Sequence, residues 1–155
     1  MALVYIALGS NLGNRENNIK KAIIALDKII GKLIKCSSFY ETSPVGFCSN
    51  NYFINAAAIF ETSLLPLELL EETEYVERIL GRSEKSRNKQ YSDRCIDIDI
   101  LFYDNLIIQT EALTIPHPEI HNRLFVLEPL NEIAPAVLHP ILQKTVKQLF
   151  EDLTS

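Results

Sequence analysis

Two carboxylates, Asp97 and Asp99, flank Ile98 inside the apolar run Cys95-Ile-Asp-Ile-Asp-Ile-Leu-Phe-Tyr103. Side chains alternate faces along a strand, so the two aspartates point one way while Ile96, Ile98 and Ile100 point the other. A run so rich in isoleucine, leucine and aromatics belongs in a sheet with its apolar face in the core. Neighbouring carboxylates on the other face repel each other unless a positive charge sits between them. Adjacent hard oxygen ligands suit a divalent cation, and Mg²⁺ above all where phosphate is the other ligand. The alternative is a solvated outer face on a one-sided sheet.

The segment upstream favours the cation. From Arg78 to Arg94 there are six basic residues and two acidic ones, a local charge of +4 in a chain of net charge −5. The rest of the chain, nine basic against eighteen acidic residues, stands at −9. A basic island leading into paired carboxylates is what a polyphosphate site needs, the cations gripping phosphate oxygens and the carboxylates a bridging Mg²⁺. The island loses all periodicity after Gly81 and reads as a long loop, the kind that serves as an active-site lid.

The elements that must position these groups emerge from the hydrophobic periodicity. A strand runs from Leu3 to Leu8 and ends at Gly9-Ser10-Asn11. A helix comes next, from Arg15 to Ile30, with Asn14 as N-cap, Gly31 as stop and a stripe of Ile19, Ala22, Ile23, Leu26, Ile29 and Ile30. Leu33 to Glu41 is a strand, Thr42 to Asn51 a loop, and Tyr52 to Thr62 a second, strongly apolar strand. Pro66 opens another helix, which keeps Leu69, Thr73, Val76 and Leu80 inside until Gly81. After the basic loop come the Asp97/Asp99 strand, a turn at Asp104-Asn105 and a short strand from Leu106 to Gln109. The order β-α-β-β-α-β predicts a ferredoxin-like α+β sandwich, an antiparallel sheet with both helices on one face. Beyond Thr114 five prolines predict irregular chain, until a helix from Gln143 to Leu153.

The 155 residues, 47% of them hydrophobic, make a single domain over 1–155 with a substantial core. No run approaches the roughly 18 apolar residues of a membrane span. The first residues lack the basic leader and cleavage site of a signal peptide and read as a strand. Three cysteines, Cys36, Cys48 and Cys95, without metal-ligand spacing predict reduced thiols in a cytoplasmic protein. The net negative charge argues against nucleic acid as partner, and no basic-Gly-aromatic signature of an RNA-recognition module accompanies Tyr52, Phe53 and Phe60. Two other classes stay open on the residues alone. One is a two-metal phosphodiesterase or nuclease; the other is a non-catalytic ferredoxin-like module that binds a metabolite.

Five segments occur in one order: Ala7-Leu8-Gly9-Ser10-Asn11-Leu12-Gly13, Phe39-Tyr40-Glu41-Thr42-Ser43-Pro44-Val45-Gly46, Asn55-Ala56-Ala57, Arg94-Cys-Ile-Asp97-Ile-Asp99, and Pro116-His117-Pro118 with Asn122-Arg123-Leu124-Phe125-Val126-Leu127-x-Pro129-Leu130 after it. Together, and over nearly the whole chain to Pro135, they resemble the 6-hydroxymethyl-7,8-dihydropterin pyrophosphokinases of folate biosynthesis. The resemblance implies transfer of the pyrophosphoryl group of ATP to the pterin hydroxymethyl group, with release of AMP. It implies two Mg²⁺ ions on Asp97 and Asp99, and Arg82 and Arg94 gripping phosphates in catalysis. ATP would be held by Glu77, Arg82, Lys85, Arg94, Ile100, Thr114, His117 and Arg123. The pterin would lie against Thr42, Pro44 and Val45, be read by Asn55 and be sandwiched by Phe53 and Phe125. ATP and the pterin are then the only expected partners of a stand-alone monomer, without membrane or nucleic acid.

Three positions depart from the family's usual pattern. Glu84 stands where a second basic residue is common, Gln90-Tyr91-Ser92-Asp93 where a tryptophan and a Gly-Pro pair are, and Ala112 where arginine is frequent. Tyr91 is the candidate aromatic of the lid.

Overall fold

A computed structural model describes residues 1–42, 52–81 and 95–155. The loop from Thr42 to Asn51 beyond its first residue, the basic loop at 83–93 and Tyr91 lie outside these residues.

The first strand, β1 (Ala2–Ser10), runs two residues past the predicted end at Leu8, through Gly9 and Ser10. Helix α1 (Arg15–Ile29) begins where the Asn14 side chain accepts the Asn17 N–H at 3.2 Å, and it buries Ile19, Ala22, Ile23 and Leu26 as its stripe predicts. Gly31 then adopts a φ of +151° against the Glu61 carbonyl, where any Cβ would collide, so the chain turns straight into β2 (Gly31–Cys36). The predicted strand from Leu33 to Glu41 is two strands, β2 and β3 (Tyr40–Thr42), interrupted at residues 37–39. Both pair with β4 (Phe53–Thr62), β2 along its far half and β3 along its near half. Ser37 mends the gap: its N–H donates to the Ala57 carbonyl at 2.8 Å and its hydroxyl accepts the Ala57 N–H at 2.9 Å. Helix α2 (Pro66–Gly81) spans the predicted residues and leads towards β5 (Asp97–Tyr103).

The strand order is β2-β4-β1-β5 with β3 beside β4, and every pairing is antiparallel. Counting β2 and β3 as one interrupted edge strand gives the ferredoxin-like β-α-β-β-α-β arrangement. One face carries Val4, Ile6, Leu8, Ala56, Ala58, Phe60, Ile98 and Ile100 and packs against α1 and α2. A register shift opposite Tyr5 and Ile6 puts an extra residue into β5, so that Leu101 and Phe102 both serve the other face.

That other face is not open, as a sheet with helices on one side only would leave it. The chain beyond Thr114 is far more regular than its prolines suggest. A two-stranded ribbon of β6 (Ile108–Gln109) and β7 (Thr114–Ile115) precedes α3 (Leu124–Ile133) and α4 (Val146–Thr154). Helix α3 carries Pro129 in its interior and loses one backbone hydrogen bond there. Burial of Val126, Leu127, Leu130 and Ile133 against Tyr5, Ala57, Ile59, Leu101 and Phe102 outweighs that loss. Helix α4 starts at Val146, later than the predicted Gln143, because Thr145 and Gln148 form a capping box.

Leu127 is fully buried in this second core, whereas Leu124 is 43% exposed. Leu127→Ala is expected to cost about 2–5 kcal/mol in urea unfolding, and Leu124→Ala less than about 0.5 kcal/mol. Equal small losses would mean that α3 does not cover the sheet.

Candidate active site

Register across the sheet decides which side chains can meet. Tyr40 pairs with Asn55, Asn55 with Gly9, and Gly9 with Asp97, one cross-strand row through four strands. The next row joins Ala57, Ala7 and Asp99, and on the other side Thr42 pairs with Phe53. Directly paired residues share a face, as do residues two apart on one strand. Thr42, Phe53, Asn55, Asp97 and Asp99 therefore lie together on the face that α3 covers farther along. Both aspartates and Phe53 are half-buried; Asn55 is buried.

Asn55 spends one donor inside the protein: its Nδ2 donates to Thr42 Oγ1 at 2.7 Å, which orients the amide. Gly9 matters here by what it lacks. A Cβ at Gly9 would stand 3.1 Å from Asn55 Oδ1 and 3.5 Å from the Phe53 ring, so a side chain there would crowd the floor of the site. Gly9-Ser10-Asn11 reads in sequence as a turn after the strand; its first residue is instead a strand residue that keeps this surface low. Arg15 donates through one nitrogen to Glu41 at 2.9 Å and to the Tyr52 carbonyl at 2.7 Å, joining the two chain ends that flank residues 43–51.

His117 and Arg123 approach from the other side. The His117 N–H donates to the Leu101 carbonyl at 3.0 Å, so this segment runs along β5. His117 Nδ1 accepts the Glu119 N–H at 3.1 Å, which leaves the ring proton on Nε2 and available to an acceptor. Burial and the neighbouring Arg123 guanidinium hold its pKa below the ordinary histidine value, against the opposing pull of Glu119 and Asp97. The ring is thus neutral at pH 7 and within electrostatic reach of both Asp97 and Arg123. Arg123 lies 5.7 Å over the ring of Phe125, at the start of α3, and Phe125 packs against the second core.

Glu77 is not on the aspartates' face. It sits on α2, and its carboxylate accepts the N–H of Ile98, the residue between them, at 2.7 Å. Ile100 is 5% exposed in the core under α1 and α2, again opposite the aspartates. Thr114 pairs with Gln109 in the small ribbon. Pro44, Val45, Arg82, Lys85 and Arg94 lie outside the described residues. Among the described residues no three acidic, histidine or cysteine side chains converge as a metal cage, and no helix is long and apolar enough to cross a membrane. Sequence patterns alone did not single out Glu132, which reaches from the end of α3 to Ser38 and Tyr40.

The His117 environment gives a signed test. Its neutral form is favoured by folding, so the associated stability is present above about pH 6.5 and is lost as pH falls through the lower folded value. NMR titration of metal-free protein should show the ring pKa rising in Arg123→Ala and falling further in Asp97→Asn. Unchanged values in both would remove His117 from between these two charges.

Residues 5–135 match the family model of 7,8-dihydro-6-hydroxymethylpterin-pyrophosphokinase (HPPK). The chain is 44% identical over 141 residues to the 2-amino-4-hydroxy-6-hydroxymethyldihydropteridine pyrophosphokinase of Porphyromonas gingivalis, covering 90% of this chain and 95% of the relative. The enzyme of the same name from Aquifex aeolicus is 43% identical over 148 residues, covering 96% and 90%. Among solved structures, wild-type HPPK-DHPS of Plasmodium falciparum superposes with a TM-score of 0.77 at 18% identity, over 97% of this chain and 44% of that longer one, a likeness of fold. With a family model spanning most of its length and relatives this similar over nearly all of theirs, the chain belongs to the 7,8-dihydro-6-hydroxymethylpterin-pyrophosphokinase family.

Proposed function

We propose that this protein transfers the pyrophosphoryl group of ATP to the hydroxymethyl group of 6-hydroxymethyl-7,8-dihydropterin, in folate biosynthesis. Membership of the family carries this reading, and the row Asn55–Gly9–Asp97 gives it a physical basis. The pterin hydroxyl oxygen forms a bond to the β-phosphorus, the bond from that phosphorus to the α,β-bridging oxygen breaks, AMP leaves with that oxygen, and the hydroxyl proton is released. Such chemistry asks for placement and charge neutralisation more than for a strong base.

Asn55 and Asp97 are two strand spacings apart, about 10 Å, which matches a bicyclic heterocycle carrying a one-carbon arm. Asn55 would read the amide edge of the ring, Thr42 would fix that amide, and Phe53 and Phe125 would face the ring's two sides. Pro44 and Val45 would complete this wall. Asp97 and Asp99 fit Mg²⁺: two half-buried carboxylates on one face supply two ligand groups and leave the remaining positions to phosphate oxygens and water. Magnesium bound there, two ions in this reading, supplies charge neutralisation for the phosphates and acidifies the incoming hydroxyl. His117, as a neutral Nε2–H donor, and Arg123, as a cation, would orient phosphate oxygens. Arg82, Lys85 and Arg94 would add positive charge, while Thr114 would border the nucleotide; Ile100, buried on the opposite face, would not. Glu77 acts in this reading through the Ile98 N–H, steadying the aspartate strand. The family and the named relatives lend no support to a nuclease or a non-catalytic module. A single domain working as a cytoplasmic monomer completes the proposal.

Phosphorus NMR of the protein with ATP, Mg²⁺ and 6-hydroxymethyl-7,8-dihydropterin should show AMP and a new pyrophosphate ester only when pterin is present. ADP would mean γ-transfer and a different kinase. Asp97→Ala and Asp99→Ala should each lower kcat by at least about a thousandfold, or roughly 4 kcal/mol, with far-UV circular dichroism unchanged; near-normal turnover in either would remove the metal assignment. Asn55→Ala should raise the KM for pterin at least about tenfold, equivalent to 1.4 kcal/mol, and leave that for ATP within about twofold. Equal losses for both substrates would make Asn55 structural.

A further inference from the structure

The interruption between β2 and β3 lies against the last turn of α3, and one carboxylate occupies the junction. Glu132 accepts the Ser38 N–H with both oxygens, at 3.0 and 3.1 Å, the Ser38 hydroxyl at 3.1 Å, and the Tyr40 hydroxyl at 2.6 Å. On the opposite side of the gap, Ser37 replaces the missing ladder bonds to Ala57 and donates its own hydroxyl to the Ser38 carbonyl at 2.7 Å. The kink is thus held from β4 by Ser37 and from α3 by Glu132. Beyond the kink lies β3, three residues long, in which Tyr40 pairs with Asn55 and Thr42 pairs with Phe53. Thr42 then accepts the Asn55 amide. A strand this short has too few ladder bonds to fix its own position, so its anchorage at Ser38 and Tyr40, with the exposed Arg15–Glu41 ion pair, sets where Thr42 stands.

We infer that Glu132 is a positioning residue for the pterin: through Ser38 and Tyr40 it sets β3, and through Thr42 the orientation of the Asn55 amide that reads the heterocycle. This rests on the assignment of Asn55 to the pterin given above. The electrostatics agree with the geometry. Tyr40 is pushed up to about 12, first by its bond to Glu132, while that same bond holds the Glu132 carboxyl below its ordinary value. The carboxylate is therefore ionised, and the tyrosine a hydroxyl donor, across the neutral pH range.

A staple that only held the fold together would affect both substrates alike. Steady-state kinetics of Glu132→Ala should instead show the KM for pterin rising about tenfold, with that for ATP within about twofold. Glu132→Gln, which keeps one acceptor oxygen, should fall between the two proteins. The Asn55 side-chain amide resonance in ¹⁵N NMR should shift in Glu132→Ala without ligand, because its bond to Thr42 is disturbed. Should Glu132→Ala fail to fold, Tyr40→Phe, which deletes one bond and leaves those to Ser38, should still raise the pterin KM about threefold. Parallel rises in both KM values, or a lower Tm with unchanged kinetics and an unshifted Asn55 amide, would overturn the inference. A wild-type protein without pterin-dependent AMP release would overturn it together with the functional reading; an active wild type with an unaltered variant would overturn it alone.

Discussion

The register of β1 between its two neighbours is the constraint on which the rest of the site depends. Gly9 stands opposite Asn55 on one side and Asp97 on the other, so three strands present their chemistry in one row. Because side chains alternate with a period of two, slipping either pairing by one residue would turn Asn55 or both aspartates into the core under α1 and α2. The apolar residues forbid that slip. A slip of β4 would expel Ala56, Ala58 and Phe60 from that core, and a slip of β5 would expel Ile98 and Ile100. The polar row is thus held in place by the residues between its members.

How much of this was legible in the sequence depended on period and punctuation. The alternation in residues 95–103 places Asp97 and Asp99 on one face without any structure, and the stripes of α1 and α2 place those helices almost to the residue. Helix α3 was hidden by Pro129 and by the prolines before it, which ordinarily end helices; only the second core that α3 completes explains why the chain stays helical there. The break at residues 37–39 was equally hidden, since two serines inside an apolar pattern do not reveal which partners they find. The adjacency of His117 to Asp97 and of Glu132 to Tyr40 joins residues 20 and 92 positions apart, beyond the reach of any local pattern. The family resemblance implied roles at one nucleotide site for both His117 and Asp97, and none for Glu132.

Helix α3 is also where the two halves of the site are tied together. Its N-cap Arg123 lies over Phe125 of the first turn and acts, together with Asp97, on His117. Its last turn carries Glu132, on the strand that orients Asn55. Between them the helix is fixed to the sheet by Val126, Leu127, Leu130 and Ile133. In the proposed reading, this element ten residues long sets the distance between the groups assigned to phosphate and those assigned to the pterin, as an in-line transfer between two bound substrates requires.

The aspartate strand poses a problem that the fold and the chemistry solve with the same residues. β5 is an edge of the sheet, and an exposed edge offers unpaired backbone groups to any passing strand. Here the Ile98 N–H is taken by Glu77 from α2, and the Leu101 carbonyl by the His117 N–H. The first bond grips the residue between the two carboxylates; the second fixes the histidine beside them. The contacts that take up two of the edge's backbone groups are thus the ones that steady the strand of Asp97 and Asp99. Replacing Glu77 would loosen the strand that carries Asp97 and Asp99, whereas the His117 bond, made by its backbone N–H, survives a change of its side chain.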